Sequence, residues 1–279
     1  MQQHILIIQD ISCIGRCSLL AALPLFNAAG IRATPLPTAL LSSHTGFPDP
    51  ARRDLSEDMS ATLDHWQKLE LRFDAIHIGY LAGAHQLPVV QRALDLFRQE
   101  ETKLFVDPVM GDWGKAYSYC DDALLNGFRT LCAKADMILP NRTEAAMLLG
   151  QPYSKGPDTP QGLLAQLTGL REAGARSAVI TGVNSQPGYT GAVFIGPGMS
   201  APQAALTRRM EGSWPGTGDL FAAAFEATLM RGKALDAAAD TAVRFITKCL
   251  EGADPTPKTA RYGAPFEQAL PWLMERLAN

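Results

Sequence analysis

The sequence of 279 residues lacks the features of several protein classes. Its five cysteines are an odd number without Cys-x-x-Cys spacing, which argues against a disulfide framework and a structural zinc site. The 25 basic residues are scattered and outnumbered by 28 acidic ones, so nucleic acid is a weak partner candidate. No hydrophobic run approaches membrane-spanning length, and the first residues do not resemble a signal peptide. We therefore expect a soluble, cytoplasmic protein with reduced thiols that binds neither nucleic acid nor membrane.

Hydrophobic residues make up 47% of the chain, enough for a sizeable core. Short β-branched runs alternate with longer amphipathic stretches, which predicts an α/β fold with a mostly parallel central sheet and helices on both faces. No convincing linker interrupts this pattern, so we expect residues 1–279 to form a single domain. The predicted strands are residues 5–8, 75–78, 103–106, 137–139, 178–181 and 191–194; the predicted helices are residues 18–29, 55–69, 88–100, 123–133, 144–149, 161–173 and 218–231; residues 253–264 are predicted to be extended before a last helix.

A glycine-rich turn carries a carboxylate where it meets a predicted helix. Gly216, Thr217 and Gly218 precede Asp219, and an alanine-rich stretch follows. Glycines let a ligand approach the backbone closely, and the free N–H groups of a helix start attract anions. A carboxylate beside such a phosphate site is placed to take a proton from an attacking hydroxyl. The alternative is an ordinary helix N-cap, and these residues alone do not decide between the two.

Polar residues also follow three consecutive predicted strands. They are Asp107 and Asp112 after the third strand, Asn141 and Glu144 after the fourth, and Thr181 at the end of the fifth. Each has a structural alternative, since a proline turn explains the first pair and a helix capping pattern explains the second. Together, oxygen ligands at one edge of a parallel sheet are typical of a site where Mg²⁺ bridges the oxygens of a polyphosphate.

A second polar group predicts an acceptor site. Residues 42–47 combine hydroxyls, an imidazole and an aromatic ring, including His44 and Thr45. Asp10 and Ser12 follow the first predicted strand, and Tyr80 follows the second. Such a group offers hydrogen bonds and a stacking face to a small heteroaromatic substrate. The alternatives are a solvated loop and a structural role for His44.

These motifs together resemble the ATP-dependent pyridoxal/pyridoxine/pyridoxamine (vitamin B6) kinases of the ribokinase-like superfamily. The amino-acid sequence near residues 15–17 is most similar to that of bacterial pyridoxamine kinases. The resemblance covers nearly the whole chain and implies the ribokinase-like three-layer α/β/α fold. It rests on Asp10-Ile11-Ser12 with Gly15-Arg16-Cys17-Ser18, Leu41 to Phe47, Gly79-Tyr80-Leu81, Asp107 to Asp112, Pro140-Asn141 with Glu144, and Gly216 to Asp219.

The resemblance implies a role for each matching position in the phosphorylation of the 5′-hydroxymethyl group of a B6 vitamer. Asp219 would be the general base, and Gly216, Thr217 and Gly218 would form the anion hole for the γ-phosphoryl group. It also implies ATP and Mg²⁺ as cofactors, leaves open a monovalent cation such as K⁺, and suggests a homodimer. The implied nucleotide-binding residues are Asp112, Asn141, Glu144 and Thr181, of which Asp112 and Glu144 would serve the metal; the implied vitamer-binding residues are Asp10, Ser12, His44, Thr45 and Tyr80.

Two positions leave the substrate details open. Many B6 kinases carry Ser where this chain has Asp10, and a carboxylate there favours a protonated ring nitrogen or the amine of pyridoxamine. Residues 113–122 align with the lid loop of the family, in which Tyr117 and Cys120 are lid candidates. Some relatives use a cysteine in this loop to capture the aldehyde of pyridoxal, whereas Cys120 is also consistent with an unreactive, solvated thiol.

Two other functions compete with this interpretation. A hydroxymethylpyrimidine kinase of thiamin synthesis shares the fold and similar motifs. A ligand-binding homologue without turnover is the rival from another functional class, although the presence of Asp219 argues against it because a pure binder needs no base.

Overall fold

A computed structural model describes residues 2–278. The predicted three-layer α/β/α architecture with a mostly parallel sheet is confirmed. The strands are β1 (His4–Ser12), β2 (Arg32–Leu41), β3 (Arg52–Asp54), β4 (Ala75–Ile78), β5 (Lys103–Val106), β6 (Gly111–Asp112), β7 (Lys115–Ala116), β8 (Met137–Ile138), β9 (Ala178–Val183), β10 (Tyr189–Ile195) and β11 (Gln203–Arg208). The helices are α1 (Ser18–Ala28), α2 (Ser56–Trp66), α3 (Leu87–Phe97), α4 (Asp122–Ala133), α5 (Arg142–Leu149), α6 (Pro160–Glu172), α7 (Thr217–Met230), α8 (Leu235–Leu250), α9 (Pro257–Ala260) and α10 (Leu270–Ala278).

The main sheet has nine strands in the order β11-β10-β9-β8-β5-β4-β1-β2-β3. The strands from β9 to β2 pair in parallel, whereas β3, β10 and β11 are antiparallel additions at the two edges. The carboxyl ends of the parallel strands therefore meet at one rim, which is the place where open α/β sheets bind ligands. The short strands β6 and β7 form a separate hairpin.

The side chains of each strand point alternately to the two faces of the sheet, and a hydrophobic layer covers each face. Ile5 and Ile7 of β1 pack on the side of α1, α7 and α8, and Leu6 and Ile8 pack on the side of α2 to α6. Because successive side chains of a strand point to opposite faces, a run buried on both faces must be apolar at every position. This is why β1 begins with the uninterrupted apolar residues on which its prediction rested.

Several elements differ from the prediction. Strand β2 was not predicted because it contains Pro35 and Pro37; β3 pairs only with its end, so the earlier part of β2 is an open edge where proline is tolerated. The edge strand β11 and the helix α8 were also not predicted. Residues 253–264 were predicted to be extended, which is wrong for α9, where Pro257 occupies the first turn of a short helix. The predicted last helix is present as α10.

Within residues 2–278, no helix combines the length and the apolar character that crossing a membrane requires.

Helix α7 is the best buried helix at the rim, and its core contacts predict a stability effect. Phe225 is completely buried, so the Phe225→Ala variant should lose about 3–5 kcal/mol of the free energy of unfolding through lost burial and a cavity. Urea unfolding followed by circular dichroism measures this loss. Leu164→Ala on α6 is the control, because Leu164 is 47% exposed and its truncation should change stability by about 0.5 kcal/mol or less. An equal loss in both variants would contradict the central position of α7.

Candidate active site

The start of α7 forms the floor of the candidate site. Gly216 has φ 81°, in the left-handed region, and a Cβ at this position would overlap the backbone carbonyl of Arg16. Only glycine fits such a turn. Gly218, in contrast, faces open space, since no atom lies within 4 Å of a Cβ built there. The first N–H groups of a helix have no partner within the helix, so this open side presents unpaired donors to an anion.

Asp219 does not cap this helix. The N-cap is Gly216, which has no side chain, and Asp219 follows at the third helical position. Its Oδ1 atom instead accepts a hydrogen bond of 2.6 Å from Nε2 of Gln9, across the gap between α7 and β1. The alternative of an N-cap is therefore excluded, and the carboxylate is held in place by a side chain from the sheet.

Burial raises the pKa of Asp219 to about 6. The neighbouring carboxylate of Asp10 raises this pKa further, whereas hydrogen bonds from the Ser18 backbone N–H and from Gln9, together with the charge of His77, limit the rise. A carboxylate with a pKa near neutrality accepts a proton better than an ordinary Asp and is still largely ionised at pH 7. This is the electrostatic state that general base catalysis requires.

Asn141 and Glu144 form a capping box at the start of α5. Oδ1 of Asn141 accepts from the N–H groups of Thr143 at 2.8 Å and Glu144 at 3.0 Å, and Oε2 of Glu144 accepts from the Asn141 N–H at 2.8 Å. The capping alternative is thus correct for these two residues, and their nucleotide role stays a prediction. An isolated bridge also joins Asn141 to Thr181, which brings both predicted residues together at the rim.

A buried carboxylate pair lies beside this cap. Burial raises the pKa of Glu144 well above its usual value, and the charge of Asp107 raises it further. Burial raises the pKa of Asp107 to about 7, and the charge of Asp219 adds to the rise while His77 opposes it. Asp107 therefore connects electrostatically the capping box and the candidate base. Its position between the two was not apparent from the sequence, in which it formed part of a turn.

The predicted lid segment begins with the β6–β7 hairpin. Nδ2 of Asn141 donates to the Gly111 carbonyl at 2.8 Å, so the hairpin is tied to the capping box. Asp112 is exposed, and its Oδ1 accepts from the Trp113 N–H at 2.8 Å. Its Oδ2 accepts no hydrogen bond from the described residues. A movement of this hairpin stays a prediction.

Tyr117 and Cys120 follow the hairpin. The ring of Tyr117 stacks on Tyr119, with 5.7 Å between the centroids. Burial and the nearby carboxylates of Asp121, Glu144 and Asp122 raise the pKa of the Cys120 thiol. A thiol adds to an aldehyde as its thiolate, which this environment disfavours. The surroundings of Cys120 thus favour the alternative of an unreactive thiol.

The predicted acceptor residues surround the end of β1. Asp10 and Ser12 are buried, and Oγ of Ser12 donates to Oδ2 of Asp10 at 2.9 Å. Burial raises the pKa of Asp10, although hydrogen bonds from Ser18 and Ser12 and the charge of Arg52 oppose this. A buried carboxylate with few cationic neighbours provides a favourable place for a positively charged ligand group.

Tyr80 forms the aromatic wall of this region. It packs edge-on against Tyr119, with 4.8 Å between the centroids, and the guanidinium of Arg52 lies 5.9 Å from both rings. The hydroxyl of Tyr80 is buried and has no hydrogen-bond partner among residues 2–278. Burial raises the pKa of this hydroxyl to about 12, so it remains a neutral donor. Arg52 and Tyr119 were not identified from the sequence, because β3 and the segment after the hairpin meet Tyr80 only in the fold.

His44 connects loops rather than pointing both nitrogens at a ligand. Its Nε2 donates to the Arg261 carbonyl at 2.7 Å, and its Nδ1 accepts from the Gly46 N–H at 3.0 Å. With both nitrogens engaged by backbone groups, only a face or an edge of the ring remains for a substrate. This arrangement favours the structural alternative for His44. Thr45, the next residue, is exposed at the surface of the same loop.

Gln9 is a site residue to which the sequence motifs assign no role, although it is one of the polar residues that follow the first predicted strand. It precedes Asp10 on β1, and the period of two along a strand places it on the α7 side with Ile5 and Ile7. This alternation was visible in the sequence, but the partner of Gln9 lies 210 residues away on α7 and was not.

The sequence is similar to known kinases over most of its length. A family model described as phosphomethylpyrimidine kinase matches residues 21–263. The pyridoxine/pyridoxal/pyridoxamine kinase of Bordetella avium is 30% identical over 239 residues, which cover 82% of this chain and 78% of that protein.

Two crystal structures resemble the whole chain. A proposed phosphomethylpyrimidine kinase from Bacteroides thetaiotaomicron, crystallised with pyridoxal, is 33% identical with a TM-score of 0.92, covering 98% of this chain and 96% of that one. The pyridoxal kinase of Lactobacillus plantarum is 32% identical with a TM-score of 0.88, covering 99% and 98%. Because the family model and the Bordetella relative each cover more than two thirds of the sequence, the chain belongs to the vitamin B6 (pyridoxine/pyridoxal/pyridoxamine) kinase family, with a ribokinase-like fold.

Proposed function

We propose that this protein transfers the γ-phosphoryl group of ATP to the 5′-hydroxymethyl group of a vitamin B6 vitamer. The observation that carries the proposal is Asp219, a carboxylate with a pKa of about 6 that Gln9 holds at the open glycine turn. The Bordetella relative is named for the three B6 vitamers, and the Bacteroides structure contains pyridoxal. A base between an anion site and a pocket for an aromatic ring is the arrangement that phosphorylation of an alcohol needs.

In the proposed reaction, Asp219 accepts the proton of the vitamer hydroxyl. The hydroxyl oxygen forms a bond to the γ-phosphorus, the bond from that phosphorus to the β,γ-bridging oxygen breaks, and ADP leaves with that electron pair. The N–H groups of Thr217 and Gly218 at the start of α7 stabilise the charge on the transferring group. The protein supplies position and charge rather than a covalent intermediate.

The phosphate side would be formed by Asp112, Asn141, Glu144 and Thr181. Mg²⁺ usually keeps several waters and binds through one or two carboxylates plus substrate phosphates. Asp112 fits this mode, because its Oδ2 accepts no hydrogen bond from the described residues. Both carboxylate oxygens of Glu144 already accept backbone hydrogen bonds, from the N–H groups of Met110 and Asn141. Asp112 would hold the hydrated ion and Glu144 would contact it through a coordinated water, and the ion would neutralise charge on the phosphates. A cavity of about 290 Å³ between Trp214, Leu250 and Pro255 adjoins the turn and is a candidate for the nucleotide base.

The acceptor side would be formed by Asp10, Ser12, Thr45 and Tyr80. The buried hydroxyl of Tyr80 lacks a partner in the described chain, and Asp10 is a buried carboxylate, so a ligand with an acceptor and a cationic group satisfies both. Pyridoxamine carries a protonated amine and therefore suits Asp10 better than the neutral substituents of the other vitamers.

The hydroxymethylpyrimidine kinase of thiamin synthesis is the second candidate, because the matching family model carries the name phosphomethylpyrimidine kinase. Its substrate also presents an aromatic ring and a primary alcohol, so the glycine turn and Asp219 serve both reactions equally. The acceptor pocket is what distinguishes the two.

Replacement of Asp219 tests the base. Asp219→Asn keeps the shape of the side chain but removes its ability to accept the proton, so kcat should fall by about 10³-fold while ATP and vitamer still bind. Steady-state kinetics and calorimetric titration measure the two effects. Asp58→Asn, an exposed carboxylate change on α2, is the matched control and should retain full activity. Wild-type turnover by the Asp219→Asn enzyme would rule out the assigned base.

The pH dependence tests the electrostatic state of the same residue. The base works only when it is ionised, so kcat/KM should rise with pH through an acid limb whose midpoint is near the Asp219 pKa of about 6. Below this pH the activity should fall about tenfold per unit. Initial rates between pH 4.5 and 8 with saturating ATP measure the limb, with the ionisation of the vitamer determined separately. A midpoint near 4, as for an ordinary Asp, would contradict the described environment.

A substrate panel tests the acceptor. Pyridoxal, pyridoxine and pyridoxamine should each be phosphorylated with a higher kcat/KM than hydroxymethylpyrimidine. The Asp10→Asn variant should lose kcat/KM for pyridoxamine by about tenfold more than for pyridoxal, because only the amine loses an ionic partner. Coupled ADP-release assays with each substrate measure these ratios. Dominant turnover of the pyrimidine would favour the thiamin pathway, and equal losses for all vitamers would exclude the contact between Asp10 and the amine.

A further inference from the structure

A buried imidazole lies beneath the candidate base. Strand β4 places His77 on the face that packs against α7, because it alternates with the residues Ile76 and Ile78 of the opposite layer. In the register of the sheet, His77 lies between Ile7 of β1 and Phe105 of β5. It is therefore a polar group in an otherwise apolar level of the core. The proposed chemistry does not use it.

The next layer of side chains on this face, closer to the carboxyl ends of the strands than His77, is polar and reaches Asp219. Gln9, Gly79 and Asp107 follow Ile7, His77 and Phe105 by two residues on their chains, so they lie on the same face of the sheet. A Cβ at Gly79 would lie 2.9 Å from Cδ of Gln9, so the absence of a side chain at Gly79 makes room for Gln9. Gln9 in turn donates to Asp219. The polar groups thus continue from the base into the interior.

Helix α7 supplies the partner of the imidazole. Glu226 follows Asp219 by seven residues, which is about two helical turns and places both carboxylates on the same side of α7. Oε1 of Glu226 lies 2.8 Å from Nδ1 of His77. Glu226 is fully buried, and its Oε2 finds no partner in the described part of the chain. A buried carboxylate of this kind needs a strong reason to be retained.

The surroundings determine where the charge of this pair lies. Burial lowers the pKa of His77, but the charge and hydrogen bond of Glu226 and the charges of Asp107 and Asp219 outweigh burial, so the pKa of His77 is raised. Burial raises the pKa of Glu226, against the effect of His77. Two forms of this pair hold the same number of protons: a neutral His77 with a protonated Glu226, and a charged His77 with an ionised Glu226. The ionised Asp219 and the ionised fraction of Asp107 favour the form whose positive charge is on the imidazole.

We propose that His77 is a positioning residue that carries a positive charge, held by Glu226, and thereby keeps Asp219 ionised for its role as base. This inference rests on the proposed function for its catalytic consequence but not for the charge itself. The imidazolium offsets the accumulation of carboxylates at the rim, which would otherwise favour protonation of the base. It acts through Asp219 and does not touch the substrates.

The other groups that face Asp219 do not replace this charge. They are the carboxyls of Asp10 and Asp107, the thiol of Cys17 on the loop before α1, the phenol of Tyr117 after the hairpin, the amide of Gln9 and the backbone N–H of Ser18. None of them is a cation. Arg52 acts on Asp10 and Tyr80 at the acceptor side.

The charge is tested without any activity measurement. ¹⁵N-histidine-labelled full-length protein should show one imidazole, assigned by its loss in His77→Gln, that has the imidazolium pattern at pH 7. Because electrostatic coupling is reciprocal, Asp219→Asn should lower the midpoint of this imidazole by about one pH unit or more, and Glu226→Gln should lower it further. A neutral His77 at pH 7 in the wild type, or an unchanged midpoint in Asp219→Asn, would overturn the proposal.

The catalytic consequence is tested by the pH profile. His77→Gln keeps a hydrogen-bond donor for Glu226 but no charge, so the acid limb of kcat/KM should move up by about one pH unit while the plateau at high pH is retained. His65→Gln, an exposed change on α2, is the control and should leave the limb in place. A uniform loss at every pH without a shift would mean that His77 is merely structural and would overturn the proposal. If no vitamer is turned over, the proposed function fails, and the resonance of His77 still decides the charge.

Discussion

The burial of α7 against the sheet is the constraint on which the site depends. Residues from Leu220 to Ala227 are buried in succession, so the helix is enclosed on nearly all sides rather than along one stripe. Its first turn therefore has a fixed position relative to the ends of β1, β4 and β5. The short hydrogen bond from Gln9 to Asp219 depends on this packing, because it joins a side chain of β1 to a side chain of α7.

The same burial makes ionisation of the carboxyl groups at the site unfavourable. Asp107, Glu144, Asp219 and Glu226 all lie where burial raises the pKa of a carboxyl group. Glu144 is compensated by the backbone N–H groups of Met110 and Asn141, Asp219 by Gln9 and the Ser18 N–H, and both Asp107 and Glu226 by the charge of His77. Unpaired buried charges are costly, so such an arrangement is retained where ionisation near neutral pH has a use.

The sequence predicted the features that depend on neighbouring residues, but not those that depend on contacts between distant parts of the chain. The predicted strands 75–78 and 103–106 coincide with β4 and β5, because short apolar runs between turns have few other solutions. The capping box of Asn141 and Glu144 spans three residues and was likewise visible. Strand β2 was not predicted because of its prolines. The structure tolerates them because β3 leaves part of the edge of β2 unpaired, and this depends on a neighbouring strand rather than on the local sequence.

The candidate site shows the same division. The Gly216–Asp219 motif identified the turn, but its local residues allowed both a cap and a base. Two facts from distant parts of the chain decided against the cap: the fit of Gly216 against Arg16 and the bond from Gln9. The engagement of His44 by Arg261 is another contact across the chain, which no motif indicates. Contacts of this kind arise only when the loops meet.

The fit of Arg16 against Gly216 has a consequence for how the loops can vary. The Arg16 N–H donates to the Tyr262 carbonyl at 3.0 Å, so the segment before α1 is confined between the glycine turn and the segment that follows α9. Backbone meets backbone on both sides, and no flexible side chain is present to absorb a displacement. An insertion in this loop would push directly on the glycine turn. The tip of the β6–β7 hairpin is held differently: the Gly114 N–H donates to Oγ1 of Thr143 at 2.9 Å, and a side chain adjusts to a displacement more easily than a backbone.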